Sequence, residues 1–221
     1  MKKRIVACTL ALVMAFSITA CGNDKNADKK ENTRSEEQEE KVTAERGTFE
    51  GNVYTNKSMG IQVTFPEGCT MYSDEEIQQV VGKGSDIMEE AYDSKAIEGG
   101  ISETIYDVIA VTADQTANIQ IIMENTKNTA GRALTSAEYA KVMTNNLKKA
   151  YESAGVDAGD AEITEETLDG LEFSKISISV NGMIQEYYAH QVGQYMLVFT
   201  ITYADTAADA VQQFLDSVTA I

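Results

Sequence analysis

Three two-residue turn signals in the last third of the chain constrain its fold more tightly than any other feature. Asp169-Gly170, Asn181-Gly182 and Gly193-Gln194 separate runs in which apolar residues alternate with polar ones. The mirror-image turns that join antiparallel strands need positive φ, which Gly and Asn supply at little cost. An antiparallel meander of four strands is therefore expected over residues 161–168, 171–180, 183–192 and 195–203. A two-residue turn also sets register, placing Val180 opposite Met183 and Val192 opposite Tyr195. One face then gathers Ile176, Ile178, Val180, Met183, Tyr187, Ala189, Met196 and Val198. The other gathers Ile184, Tyr188, Val192, Tyr195, Leu197, Phe199, Ile201 and Tyr203. Both faces need cover, so helices are expected on each side of the sheet. Leu171 and Phe173 fall out of phase with Ile176 and Ile178, which predicts a bulge near Ser174 or Lys175.

The helices carry signals of their own. Thr135-x-x-Glu138 reads as a capping box, followed by Tyr139, Val142, Met143, Leu147, Ala150 and Tyr151 at helical spacing and by Gly155 as a stop. Ser73-x-x-Glu76 is a second box, ahead of Ile77, Val80 and Val81, with Tyr72 placed to pack back onto Ile77. A closing helix is predicted over 207–218, with Val211, Phe214, Leu215 and Val218 on one stripe. Further strands are expected at 52–54, 61–65, 106–114 and 118–125. Residues 49–221 amount to one domain's worth of chain.

The order of these parts carries a resemblance. Tyr54-x-Asn56 leads to Gly60-Ile61, then come Phe65-Pro66-Glu67-Gly68 and Tyr106-Asp107, and a strand at 197–203 precedes the terminal helix. That order resembles the PsbP-like fold as it occurs in lipoproteins of Gram-positive bacteria, over about Tyr54 to Ile221. Cys69 departs from the pattern, since many relatives have tryptophan after the Pro-x-Gly turn. A smaller apolar group there changes packing more than topology. The resemblance implies an α+β fold, an α/β/α sandwich about a central antiparallel sheet, and action by docking onto proteins rather than by catalysis.

The first twenty residues have the layout of an export signal: Lys2, Lys3 and Arg4, an apolar stretch over 5–16, then small residues to Ala20. The stretch is short of the roughly 20 residues a membrane-spanning helix needs, so export and cleavage are expected. Ile18-Thr19-Ala20-Cys21 resembles the lipobox of bacterial prolipoproteins. The resemblance implies diacylglycerol on the Cys21 sulfur and cleavage after Ala20. Two acyl chains hold a protein stably where one does so marginally, so the membrane is the first expected partner and its extracytoplasmic face the expected location. Residues 21–48 follow as a polar tether containing Ser35-Glu36-Glu37-Gln38-Glu39-Glu40. A segment so poor in apolar groups cannot repay its ordering entropy and is expected to be disordered, spanning about 30 Å.

Charge narrows the remaining partners. Without residues 1–20 the chain keeps 15 basic and 35 acidic residues, a net charge of −20. Residues 51–221 hold 9 basic and 26 acidic residues, a net charge of −17. Such a field repels nucleic-acid phosphates and anionic lipid heads, so no nucleic acid is expected as a partner of the domain surface and basic proteins and cations remain; that the docking partner is a protein is what the resemblance implies.

The residues for chemistry are sparse. Gly82-x-Gly84 is too short for a phosphate loop. Cys69 and His190, the lone thiol and imidazole beyond the lipidated cysteine, cannot make a zinc site. Cys69 reads as a half-buried thiol at a strand end. Glu186 lies four residues before His190, about 13 Å away along a strand and too far for a direct bond. Asp157, Asp160, Glu162, Glu165 and Glu166 lack the EF-hand order, and the last three read as edge-strand charges. Asp86, Glu89, Glu90 and Asp93 read as a solvated helix face. No catalytic, cofactor-binding or metal-ligating residue is expected, and the assigned positions are Cys21 for lipidation and Ala20 for cleavage. Two functions follow: a non-catalytic tethered module that docks onto another envelope or extracellular protein, or a carrier or sensor of a small ligand or cation. The second expects a pocket between sheet and helix lined by Tyr187, Tyr188 or Tyr195.

Overall fold

The computed structural model describes residues 42–221 apart from Glu90. The export signal, Ala20, Cys21 and the tether as far as residue 41 lie outside the described residues. In chain order the strands are β1 (Thr48–Glu50), β2 (Val53–Asn56), β3 (Ile61–Thr64), β4 (Thr70–Met71), β5 (Thr104–Val111), β6 (Ala117–Asn125), β7 (Glu162–Leu168), β8 (Leu171–Val180), β9 (Met183–Val192), β10 (Tyr195–Tyr203) and β11 (Thr219–Ala220). The helices are α1 (Asp74–Met88), α2 (Ser94–Ser102), the single turn α3 (Thr126–Thr129), α4 (Ser136–Ser153) and α5 (Ala208–Asp216).

Two antiparallel sheets result. The larger runs β4-β5-β6-β10-β9-β8-β7 and the smaller β1-β2-β3-β11. The meander forms in the expected register, with Val180 opposite Met183 and Val192 opposite Tyr195. Asp169 and Gly170 both take positive φ, as do Asn181 and Gly182, which is the backbone a type I′ turn demands.

The expected bulge at Ser174 or Lys175 does not exist. Strand β8 keeps unbroken register with β7 from Leu171 to Ser177 and with β9 from Ser174 to Val180. Phe173 simply points to the opposite face from Ile176, and each joins a different core. Where a sheet is buried on both sides, an apolar residue out of phase needs no bulge. The irregularity lies in β5, between Tyr106 and Val108, leaving Asp107 as the extra residue.

Each face of the large sheet has its own core. One packs Ile176, Ile178, Tyr187, Met196 and Val198 against α1, α2 and α4. The other packs Phe173, Tyr188, Leu197, Phe199 and Ile201 against α5 and the smaller sheet. Cover on that second side is therefore a four-stranded sheet plus one helix, where helices were expected. Phe214 of α5 joins the layers, its ring 5.6 Å from Phe199 and 5.1 Å from Phe65.

Both capping boxes form. Glu138 donates its backbone N–H to Thr135 Oγ1 and its carboxylate accepts from the Thr135 N–H. Glu76 and Ser73 repeat the exchange at the start of α1. The last helix opens with a 3-10 turn, Asp205–Ala207, and its stripe of Val211, Phe214 and Leu215 is buried. Helix α2 was not foreseen. Asp93, read as a solvated acid, is its N-cap and accepts from the Lys95 N–H. No described helix is long and apolar enough to cross a membrane.

Candidate functional site

Two of the short motifs that mark the sequence, Tyr54-x-Asn56 and Tyr106-Asp107, meet at the bulge of β5. Asp107 is a buried carboxylate. Its Oδ2 accepts from the Tyr54 hydroxyl at 2.5 Å and from the Gly47 N–H at 2.7 Å, and its Oδ1 accepts from Arg46 Nε at 3.0 Å. A second guanidinium nitrogen of Arg46 reaches the Asp107 carbonyl at 3.0 Å, and the third reaches Asp74 Oδ1 at 2.7 Å. Asn56 donates both to the Tyr54 hydroxyl and to the Glu45 carbonyl. The segment 42–48, placed by composition at the end of the tether, thus lies fastened against the domain.

Local sequence explains the fit. The β5 bulge turns Asp107 out of the strict two-residue alternation and aims it at the junction. Gly47 is required because a Cβ there would fall 2.3 Å from the buried Tyr54 ring. Hydrogen bonding to Asp74, and then to Asp107, raises the Arg46 pKa against the opposing effect of burial. Burial, with the Asp107 charge beside it, raises that of Tyr54, so the phenol stays a donor.

Two more buried acids are held in the same manner. Glu124, fully enclosed at the end of β6, accepts from Thr129 Oγ1 at 2.6 Å and from the Tyr139 hydroxyl at 2.9 Å. On the other face, Glu186 lies 2.9 Å from Lys175 Nζ and accepts from Tyr188 at 3.1 Å and from Tyr203. The sequence reading missed Arg46, Gly47, Glu124 and Lys175. For Glu124 a signal was present: an acid inside the apolar run of β6.

The remaining expected positions are dispersed. Cys69 precedes β4, half-buried, with burial pushing its thiol pKa up. His190 places Nδ1 2.7 Å from the Glu172 carbonyl and its ring 5.0 Å from Phe173, apart from the Glu186 cluster. Gly82 and Gly84 sit inside α1. Glu162, Glu165 and Glu166 lie on β7, which does form the sheet edge. Glu165 accepts from Ser174, and Glu166 is 3.7 Å from Lys175. Among the described residues no three potential metal ligands come together. Of the tyrosines expected to line a pocket, Tyr187 is packed in one core, Tyr188 in the other with Tyr195 against it, and none of the three lines the two cavities that follow. The cavities lie elsewhere. One of about 470 Å³ opens between α1, α2 and β5, beside the Arg46–Asp74 pair and lined by Ile77, Val81, Ile101 and Tyr106. Another of about 250 Å³ lies beside α4, lined by Thr144, Lys148, Tyr151 and Ile178.

These features define an α+β domain of two antiparallel sheets whose buried acids are bound by its own donors. No family model and no curated protein matches the chain. Among solved structures it is similar to cyanobacterial PsbP (CyanoP) from Synechocystis, at 14% identity and TM-score 0.47, over 79% of this chain and 98% of that one. It is also similar to a protein from Bacteroides thetaiotaomicron, at 11% identity and TM-score 0.35, over 73% of this chain and 45% of that one. LpqN, involved in cell envelope biogenesis of Mycobacterium tuberculosis, is similar at 13% identity and TM-score 0.38, over 72% of this chain and 82% of that one. Such scores are too low to carry function across, and the fold description rests on this chain's own elements.

Proposed function

We propose that the chain is a lipid-anchored, extracytoplasmic docking module, held to the membrane through Cys21 and working through its surface rather than through a reaction. The observation that carries this reading is the engagement of Asp107, Glu124 and Glu186, each taken up by two or more donors of the chain itself. Carboxylates so saturated serve the fold, and Asp107 in addition fixes the point where the leash meets the domain. The PsbP-like order of motifs and the lipobox agree with it.

The anchor is tested by fractionation and intact mass. The native chain stays with the membrane and carries a diacylglycerol mass on Cys21, and Cys21→Ser moves it to the medium. An unmodified thiol on a membrane-free native chain overturns the anchor. Docking is tested by cross-linking in the native envelope, then by reconstituting the purified pair. One protein forms a complex of defined stoichiometry with the domain on gel filtration. Failure of every cross-linked candidate to bind the purified domain overturns it.

A second reading, a small-ligand carrier or sensor, has the 470 Å³ groove beside Arg46 in its favour. It requires a metabolite or cation that raises the melting temperature in a thermal-shift screen. It also requires that Ile101→Trp, which fills the groove, abolish that rise.

A further inference from the structure

Three polar atoms on the helix-covered face of the large sheet are buried without a hydrogen-bond partner: Gln120 Oε1, Thr200 Oγ1 and Thr202 Oγ1. Their residues are 0%, 0% and 1% exposed. They are neighbours. Gln120 stands directly opposite Thr200 in the β6–β10 ladder, and Thr202 follows two residues on, along the same face. Ile122 and Val198, on the same alternation, place that face under the helical layer. The Gln120 amide nitrogen donates to Asn118 Oδ1 at 2.6 Å, which commits that end of the side chain and leaves Oε1 as the end without a partner. Leaving three such groups unmet in one place would consume a large share of a domain's marginal stability.

We propose that this patch binds ordered water as a permanent part of the fold. Two hydroxyls and one amide carbonyl offer donors and acceptors together, and a buried water needs two to four such partners. The surroundings are polar in the same direction. Across β9, Thr202 faces Gln185 and Thr200 faces Tyr187, and Gln185 Oε1 accepts from both Tyr151 and Tyr187. Tyr151 in turn lines the 250 Å³ cavity, whose wall carries Thr144, another residue with a partnerless hydroxyl oxygen. The file Thr144, Tyr151, Gln185, Thr202 therefore leads from the cavity to the patch and marks the route by which this water exchanges.

The test replaces a hydroxyl by a methyl of the same shape. The chain is compared with Thr200→Val, Thr202→Val and Thr200→Ser by magnetic relaxation dispersion of the water signal, which counts long-lived internal waters, and by thermal melts. With water bound, each valine variant loses at least one long-lived water and melts a few degrees lower, by roughly 2–4 °C. Thr200→Ser keeps the hydroxyl and the full count. A dry patch gives the opposite sign, because valine removes an unmet polar group. A valine variant that melts higher, or a water count that stays the same in both valine variants, overturns the proposal. Should one variant fail to fold, the other two carry the comparison.

Discussion

Asp107 and Gly47 carry opposite constraints at one point: the first must be a charge and the second must have no side chain. Asp107→Asn keeps the shape but leaves the half-exposed Arg46 facing a neutral amide and removes one acceptor oxygen. The expected loss is about 2–4 kcal/mol, read by urea denaturation, with residues 42–48 becoming open to protease. Tyr54→Phe removes a single bond to the same carboxylate and should cost about 1 kcal/mol. Gly47→Ala drives a methyl into a buried ring and should cost about 1–3 kcal/mol. Half of this site was legible. Tyr54, Asn56 and Asp107 stand out as motif residues, and their meeting follows once β2 and β5 share a core, whereas Tyr106 of the same motif packs on the opposite face. Arg46 and Gly47 gave no sign, because they sit beside a glutamate-rich stretch whose composition speaks for solvent. What fastens them is a carboxylate 60 residues further along the chain.

Elements with a local signal were readable, and those held by distant contacts were not. Strands β8 to β10 follow from turns whose φ values are set by two residues each. Helix α4 follows from its capping box, so Thr135→Ala should cost about 1 kcal/mol, measured by denaturation. The box also has a pH signature. Hydrogen bonds from Arg132, and next from the Thr135 N–H, hold the Glu138 carboxyl down at about 2. A lowered pKa means that its contribution is complete above the ordinary carboxylate range and fades as pH falls through about 2. Glu138→Gln should therefore melt below the parent at pH 7, with the gap closing as melts are repeated toward pH 2. The bulge was misplaced for a physical reason. An apolar residue on the wrong phase signals a bulge only when one face of the sheet is wet, and here neither is. Helix α2 was hidden by Gly99 and Gly100, which erase helical propensity while Asp93 supplies the cap.

At the scale of the molecule, two cores on either side of one sheet were foreseeable from its doubly apolar strands. The identity of the second cover was not. Strands β1 and β11 are three and two residues long, too short for any periodic pattern, and β11 joins β3 only after the chain has closed on itself. The same enclosure governs behaviour in alkali. Burial first, and neighbouring charge second, raises the pKa of Tyr54, Tyr139 and Tyr188, and burial pushes Tyr92 and Tyr203 up to about 12. A phenol with a raised pKa stabilises the fold fully below its unfolded value near 10 and ceases to do so as pH climbs toward the folded one. Stability should thus hold to about pH 10 and fall away above it. Tyrosinate absorbance from these residues should rise together with the loss of the circular dichroism signal. Ionisation of the buried set while the signal stays native would contradict the packing described.

In the lipid-anchored arrangement proposed above, a tug on the amino-terminal side of the domain reaches Arg46 and Gly47 before it reaches β1. Both are bonded to β5, an interior strand of the seven-stranded sheet, so the load passes to that sheet and bypasses β1, the three-residue strand at the edge of the smaller one. A domain anchored in the proposed way is expected to resist peeling from its 42–48 end, and a partner on its surface is then pulled against without stripping β1 from the fold.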